Sequence, residues 1–319
     1  MTDLSLNFET AFERTREEID RILLTAPLLI RTYTSHLTST HGKLVRARAV
    51  LACAMDEKGC IHKDAVVFAA AIEMLHLATL VHDDIMDDAS LRRGVETLQK
   101  KFGKRTAVIC GDYLLAAAIR ELQRVEDPDK YKNLDASKYM EQICMGELRQ
   151  NVNNRNYSLS MFRYLSIING KTAALFEASY FAGAVICEGD EQRLRLYRQL
   201  GRYTGVIFQL TDDCIDYEWD TKTARKSVQS DFEQGVITLP VIYTFHNNPE
   251  LKKRAEEGKL STEELLDEVK KSGGARFTHQ TAGRYYEKAQ SALEALDFQH
   301  QKADILRELL NLSYYGLKK

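Results

Sequence analysis

E-M-L-H-L-A-T-L-V-H-D-D-I-M-D-D-A-S-L-R-R-G, residues 73–94, decides how the chain is read. An apolar run at helical spacing (Leu75, Ala78, Thr79, Val81) climbs for about three turns and stops at four carboxylates, Asp83, Asp84, Asp87 and Asp88. The C-terminal end of a helix carries partial negative charge, so acids there cost roughly 0.3 to 1 kcal/mol each before their mutual repulsion. The spacing therefore asks for a cationic partner. Asp83 and Asp87 are four apart and share one helix face, with Asp84 a step around it. Mg²⁺ takes one or two carboxylates and completes its shell with water and phosphate oxygens. Arg92 and Arg93 follow at once, two permanently charged forks suited to phosphate. Carboxylates for metal beside arginines for phosphate imply a diphosphate between them.

Outward from this stretch, 319 residues with 44% apolar and 28% charged content describe a globular chain with ample core material. A net charge of -2 carries no basic field of the kind nucleic acid requires. Only four prolines occur, Pro27, Pro128, Pro240 and Pro249, so long uninterrupted helices are expected. Cys53, Cys60, Cys110, Cys144, Cys187 and Cys214 form no C-x-x-C pair, which argues against zinc and disulfide frameworks and for buried, reduced thiols. Asp3, Glu9 and Glu13 near the start do not match a secretory signal, and no apolar run reaches the length of a membrane span. A cytoplasmic location is expected.

Helical spacing covers residues 7–24, with Pro27 marking an end or a kink. Gly42 suits a helix boundary, and Lys43, Arg46 and Arg48 then put positive charge at the first turns of a helix reaching about residue 56, against the dipole unless an anion binds. Residues 64–88 form the organising helix, 92–103 a loop or short turn, and Gly111-Asp112 opens an apolar run to 122. Helices follow over 136–151 and 157–184. The second contains Asn169-Gly170-Lys171-Thr172 in apolar surroundings, where the lysine must snorkel or meet an anion. Residues 191–218 repeat the opening pattern, an apolar face running up to Asp212, Asp213 and Asp216 with Gln209 a turn earlier. Segments over 251–271, 278–296 and 303–315 read as structural helices, and no strand pattern of useful length occurs. The fold class is all-α, one domain over residues 1–319.

H-D-D-I-M-D-D-A-S-L-R-R-G, F-Q-L-T-D-D-C-I-D-Y, H-G-K-x-x-R at 41–46, K-T at 171 and T-L-P at 238–240 together resemble the trans-isoprenyl diphosphate synthases, or polyprenyl synthetases. The match keeps its order from residue 41 to 240. The resemblance implies a bundle of long helices around a central cavity, a homodimer, and head-to-tail condensation of an allylic diphosphate with isopentenyl diphosphate. It implies three Mg²⁺ ions on Asp83, Asp87 and Asp212, with Asp84, Asp213 and Asp216 as further or supporting ligands. Arg92, Lys171 and Lys226 are expected on the allylic diphosphate, and Lys43, Arg46, His76 and Arg93 on isopentenyl diphosphate. Gln209 and Thr172 are expected beside the carbocation, with departing pyrophosphate as the base. No transmembrane segment is implied, only transient membrane contact for product release.

Residues four and five before Asp83, Thr79 and Ala78, sit about 5.4 Å below the metals, with Leu75 further down. In the family an aromatic there resembles a stopper, so small residues imply a long product, hexaprenyl or longer. Replacing Ala78 with Phe is then expected to shorten it. The chain departs from the family pattern at Leu44, Arg225, Gln229 and Val236, which bears on diphosphate contacts. A short-chain farnesyl or geranylgeranyl synthase and a subunit of a heteromeric synthase with a non-catalytic partner are the alternative readings. A terpene cyclase is disfavoured by the full second D-D-x-x-D.

Overall fold

The computed structural model describes residues 5–38, 42–132, 134–218, 232, 234–298 and 300–316. Helices dominate, and the strands among the described residues are two-residue pairs. The described chain gathers into two compact units. The first comprises Met1–Asp135, Ala178–Tyr197 and Phe298–Leu306; the second comprises Ala136–Glu177, Arg198–Asp297 and Arg307–Lys319.

In the first unit, α1 (Phe8–Leu24) starts where the Asn7 side chain accepts a hydrogen bond from the Thr10 N–H at 2.9 Å. Pro27 opens α2 (Leu28–Leu37). Strand β1 (Ser5–Leu6) pairs antiparallel with β2 (Ile61–His62). Helix α3 spans Val45–Cys53, and α4 spans Asp64–Met86, ending two residues short of the expected boundary. A hairpin, β3 (Leu91–Arg92) and β4 (Val95–Glu96), replaces the first part of the expected loop. Arg93 and Gly94, at φ 52° and 81°, make the left-handed two-residue turn that matches the strand twist. Helix α5 (Leu98–Phe102) completes that segment, and α6 runs Lys104–Leu122. Gly111 therefore sits inside α6 and does not begin it. A Cβ at Gly111 would strike the His82 ring, so the glycine is a contact residue between α4 and α6.

Helix α4 packs on α1, α3 and α6. Ile19, Ile22, Leu23, Met74, Ala78, Val81, Cys110 and Leu114 form the core there. At 23 residues α4 is long and apolar enough, by length and composition, to cross a membrane, contrary to the reading from sequence. Its buried carboxylates Asp64, Glu73 and Asp84 and its packed flanks mark it as a core helix.

The second unit holds α7 (Ala136–Val152), α8 (Met161–Ile168) and a π-helical turn, Asn169–Ala173, where one long helix was expected. It also holds α11 (Leu239–Asn247), α12 (Pro249–Glu256), α13 (Thr262–Ser272) and α14 (Gly274–Ala295). Helices α9 (Ala174–Cys187), α10 (Glu191–Glu218) and α15 (His300–Tyr315) contribute residues to both units. Tyr164, Ile167, Val206, Leu210, Leu239, Phe245 and Leu265 form this unit's core. All six cysteines are free, as expected, but Cys144 and Cys187 are exposed and Cys60 is half-buried, so uniform thiol burial does not hold.

Candidate active site

The expected residues of the first unit converge. Asp83 closes the last turn of α4, where its carbonyl accepts the Asp87 N–H at 2.9 Å. Asp84 is buried and holds Arg92, whose Nε and Nη2 lie 2.9 and 2.8 Å from its Oδ1. The β3–β4 turn aims Arg92 back at the helix that ends in the acids. Asp87 and Asp88 are exposed, and Lys104 Nζ lies 2.7 Å from Asp88, holding that carboxyl below the usual range.

Further down α4, His76 Nε2 is 3.1 Å from Arg46 Nη1. Desolvation first, then the fields of Arg46, Arg92 and Arg93, press the His76 pKa well below its ordinary value. The imidazole is thus neutral, and its Nε2 accepts from the guanidinium. Arg93 folds its guanidinium against Gly42, where a Cβ would collide with it. Lys43 is exposed just ahead of α3. Leu44 caps α3 at φ 48°, a left-handed conformation that strains a branched side chain.

The charge problem at the start of α3 is solved within the protein. Glu73 is buried on α4, and its Oε1 accepts the Ala47 N–H at 2.9 Å. Desolvation lifts the Glu73 pKa, while Arg46 and the backbone donors of Arg46 and Ala47 oppose that lift. Burial in turn lowers the Arg46 pKa to about 10, with Glu73 countering it and Arg93 adding to it. An anion from the neighbouring helix thus answers the basic N-terminus. Sequence reasoning missed Glu73, although an acid at the start of an apolar helical face was the available signal.

In the second unit the π-helical turn presents Lys171 and Thr172 in succession. Gly146 of α7 meets Gly170 and the Lys171 backbone so closely that a Cβ at Gly146 would collide with them. Lys171 does not snorkel: its Nζ lies 2.7 Å from Glu147 Oε2. The Thr172 hydroxyl donates to Gln209 Oε1 at 2.7 Å, and Gln209 Nε2 donates to Asp213 Oδ1 at 2.8 Å. The Tyr164 hydroxyl donates to Asp213 Oδ2. Asp212, one step around α10, reaches solvent, yet the protein packed around it lifts its pKa by desolvation. The solvent access is the more telling of these two features, because it leaves the carboxylate free to meet a ligand. Asp216 lies in α10, with its side chain outside the described residues, and Lys226, Arg225 and Gln229 lie outside them as well. Val236 precedes α11 without supplying a charge.

No three His, Cys, Asp or Glu side chains among the described residues gather closely enough to hold a metal alone. The available donors are carboxylates on a helix end whose own dipole is negative, which fits a hard divalent ion completed by water and phosphate. Ala78 is fully enclosed in the α1, α4 and α6 core, whereas Thr79 and Leu75 are half-buried. The Thr79 hydroxyl turns back to the His76 carbonyl at 2.8 Å.

A helical fold whose α4 ends in carboxylates beside clustered arginines is that of the isoprenoid synthases, a class of all-α enzymes. The polyprenyl synthetase family model matches residues 27–272, and the chain belongs to that family of prenyltransferases. It is 34% identical over 266 residues to heptaprenyl diphosphate synthase component 2 of Bacillus subtilis, covering 82% of this chain and 75% of that protein. It is 32% identical over 278 residues to octaprenyl diphosphate synthase of Escherichia coli, covering 84% of each. The crystal structure of heptaprenyl diphosphate synthase from Staphylococcus aureus superposes with a TM-score of 0.87 at 30% identity, over 97% of this chain and 98% of that one.

Proposed function

We propose that this chain condenses an allylic diphosphate with isopentenyl diphosphate in successive all-trans head-to-tail steps, to give a polyprenyl diphosphate of hexaprenyl length or longer. The observation that carries the reading is Arg46 Nη1 held 3.1 Å from His76 Nε2, on the helix that ends in Asp83, Asp84 and Asp87. One helix thus joins an anion-binding cluster to a cation-binding one, as a magnesium diphosphate requires. The long-chain products named for the relatives support the length.

Asp83, Asp87 and Asp212 would hold Mg²⁺, with Asp84, Asp213 and Asp216 behind them. When bound, the metal draws charge from the diphosphate oxygens and eases cleavage of the C–O bond. Arg92, Lys171 and Lys226 bind the allylic diphosphate. Lys43, Arg46, His76 and Arg93 bind isopentenyl diphosphate, where uncharged His76 donates or accepts a hydrogen bond without adding charge. Thr172 and Gln209, joined through the Thr172 hydroxyl and Gln209 Oε1, flank the carbocation, and released pyrophosphate removes the final proton. Leu75 and Thr79 bound the growing chain, with Ala78 enclosed behind them in the core. The two units act as one synthetase domain.

Exposed apolar side chains on α6 (Val108, Ile109, Ile119) and on α7 (Met145, Leu148, Val152) support association as a homodimer; a cytoplasmic location and transient membrane contact at product release belong to the same proposal. A second reading, a subunit working with a different partner chain, is favoured by the relative named as a synthase component. The test is calorimetric titration of isopentenyl diphosphate into wild type, Arg46→Ala and His76→Ala without metal. Loss of about 10- to 100-fold in affinity is expected for Arg46→Ala, and unchanged binding in both variants contradicts the reading.

A further inference from the structure

Asp213 is held at both oxygens by uncharged donors from its own unit. Tyr164 reaches Oδ2 from α8, and Gln209 reaches Oδ1 from one turn earlier on α10. Tyr164 is 4% exposed, and it brings its hydroxyl to this carboxylate through a core of Ile167, Val206 and Leu210. The hydrogen bonds continue outward. With its nitrogen committed to Asp213, the Gln209 amide turns its oxygen to Thr172, which fixes the amide's orientation. Thr172 is the residue after Lys171, in the π-helical turn.

We propose that Tyr164 is a positioning residue for prenyl transfer: it locks Asp213 and, through it, the Gln209 amide and the Thr172 hydroxyl, and it makes Asp213 an anchor rather than a direct metal ligand. This rests on the proposed function, because it assigns an order to residues of that site. Both Asp213 oxygens carry protein hydrogen bonds, whereas neighbouring Asp212 reaches solvent. Removing the phenol leaves a buried carboxylate short of one donor, which loosens its hold on the Gln209 amide and, through that amide, on the Thr172 hydroxyl.

The test uses the full chain as wild type, Tyr164→Phe, Asp213→Asn and the double variant. Calorimetric titration of inorganic pyrophosphate in the presence of Mg²⁺ reports binding without turnover, and steady-state assays separate kcat from KM. Tyr164→Phe is expected to weaken Mg²⁺-pyrophosphate binding and raise the allylic KM by about tenfold, leaving the isopentenyl diphosphate KM unchanged. In the Asp213→Asn background the same change is expected to cost about twofold or less. Equal effects in both backgrounds, or a lowered Tm with binding and both KM values unmoved, overturn the proposal. Should Tyr164→Phe not fold, Gln209→Leu removes the other donor, and its effect must likewise vanish with Asp213→Asn. A wild type that binds Mg²⁺-pyrophosphate but extends no allylic primer refutes the proposed function, while the coupling between Tyr164 and Asp213 is still decided by the titration.

Discussion

Lys171 Nζ and Glu147 Oε2 stand 2.7 Å apart, joining the π-helical turn to α7. The lysine that interrupts an apolar stretch is therefore paired with an acid before any substrate arrives. Each side chain keeps about a fifth of its surface in water, so the pair adds at most about 1 kcal/mol to stability. Its larger consequence is competition, because a diphosphate must take the ammonium from Glu147 or share it. Glu147→Gln is expected to tighten pyrophosphate binding severalfold, and Lys171→Ala to weaken it by about 10- to 100-fold, both read by calorimetry. Weaker binding in Glu147→Gln would contradict this competition.

Glu73 answers Arg46 and the N-terminus of α3 from a buried position. Glu73→Ala removes the buried acceptor of the Ala47 N–H and the negative field beside Arg46, and is expected to cost about 1 to 3 kcal/mol in denaturant unfolding. Glu73→Gln keeps an acceptor for the Ala47 N–H and is expected to cost less. Equal stability of the alanine variant and the wild type would show that Arg46 finds its counter-charge elsewhere.

A second carboxylate pair gives a pH signature. Glu121 of α6 lies against Glu18 of α1, with Arg21 and Arg124 bridging them. Burial first, then Glu18, lifts the Glu121 pKa to about 7. Burial raises Glu18 too, but hydrogen bonds with Arg21, Glu121 and Arg124 outweigh it and bring that pKa down to about 2. A raised acid keeps a proton in the folded chain that the unfolded chain loses above about 4.5, so stability falls as pH rises from there to about 7. The lowered acid contributes stability above about 4.5 that is lost as pH falls toward 2. The pair's contribution therefore peaks near its ordinary pKa. Glu121→Gln is expected to gain in Tm relative to wild type as pH rises from 5 to 7, and a constant difference would contradict the assignment.

Chain length distinguishes two neighbouring positions. Ala78 is sealed in the core, so Ala78→Phe is expected to overpack it by about 1 to 3 kcal/mol and to shorten the product only along with a lower Tm. Thr79 is half-buried on the face it shares with Asp83, so Thr79→Phe is expected to shorten the product with Tm nearly unchanged. Chromatography of the products decides. An unchanged length in Thr79→Phe removes that residue from the floor of the chain site.

The helical class and the residues of α4 were legible because apolar spacing and misplaced acids are local signals. The α10 boundaries, Glu191–Glu218, were legible for the same reason. What escaped depends on packing between elements. Gly111 looked like a helix start but is a contact point under His82. The π-helical turn at Asn169–Ala173 lies where Gly146 comes close to Gly170 and Lys171, an approach that no single-helix periodicity records. Glu73, Glu147 and Tyr164 take their roles from partners more than 20 residues away for Glu73 and Glu147, and 49 away for Tyr164, which local periodicity does not record. The β3–β4 hairpin was hidden because Arg93-Gly94 is read first as charge and only second as a turn.

The most direct measurement of the central claim is the product ladder from purified chain, Mg²⁺, farnesyl diphosphate and labelled isopentenyl diphosphate, compared among wild type, Asp83→Ala, Asp212→Ala and the double variant. Wild type is expected to give a metal-dependent ladder reaching hexaprenyl diphosphate or beyond, with each single variant nearly silent and the double variant scarcely worse than either. A wild type that releases no pyrophosphate and extends no allylic primer, or aspartate variants that keep the full ladder, would contradict it.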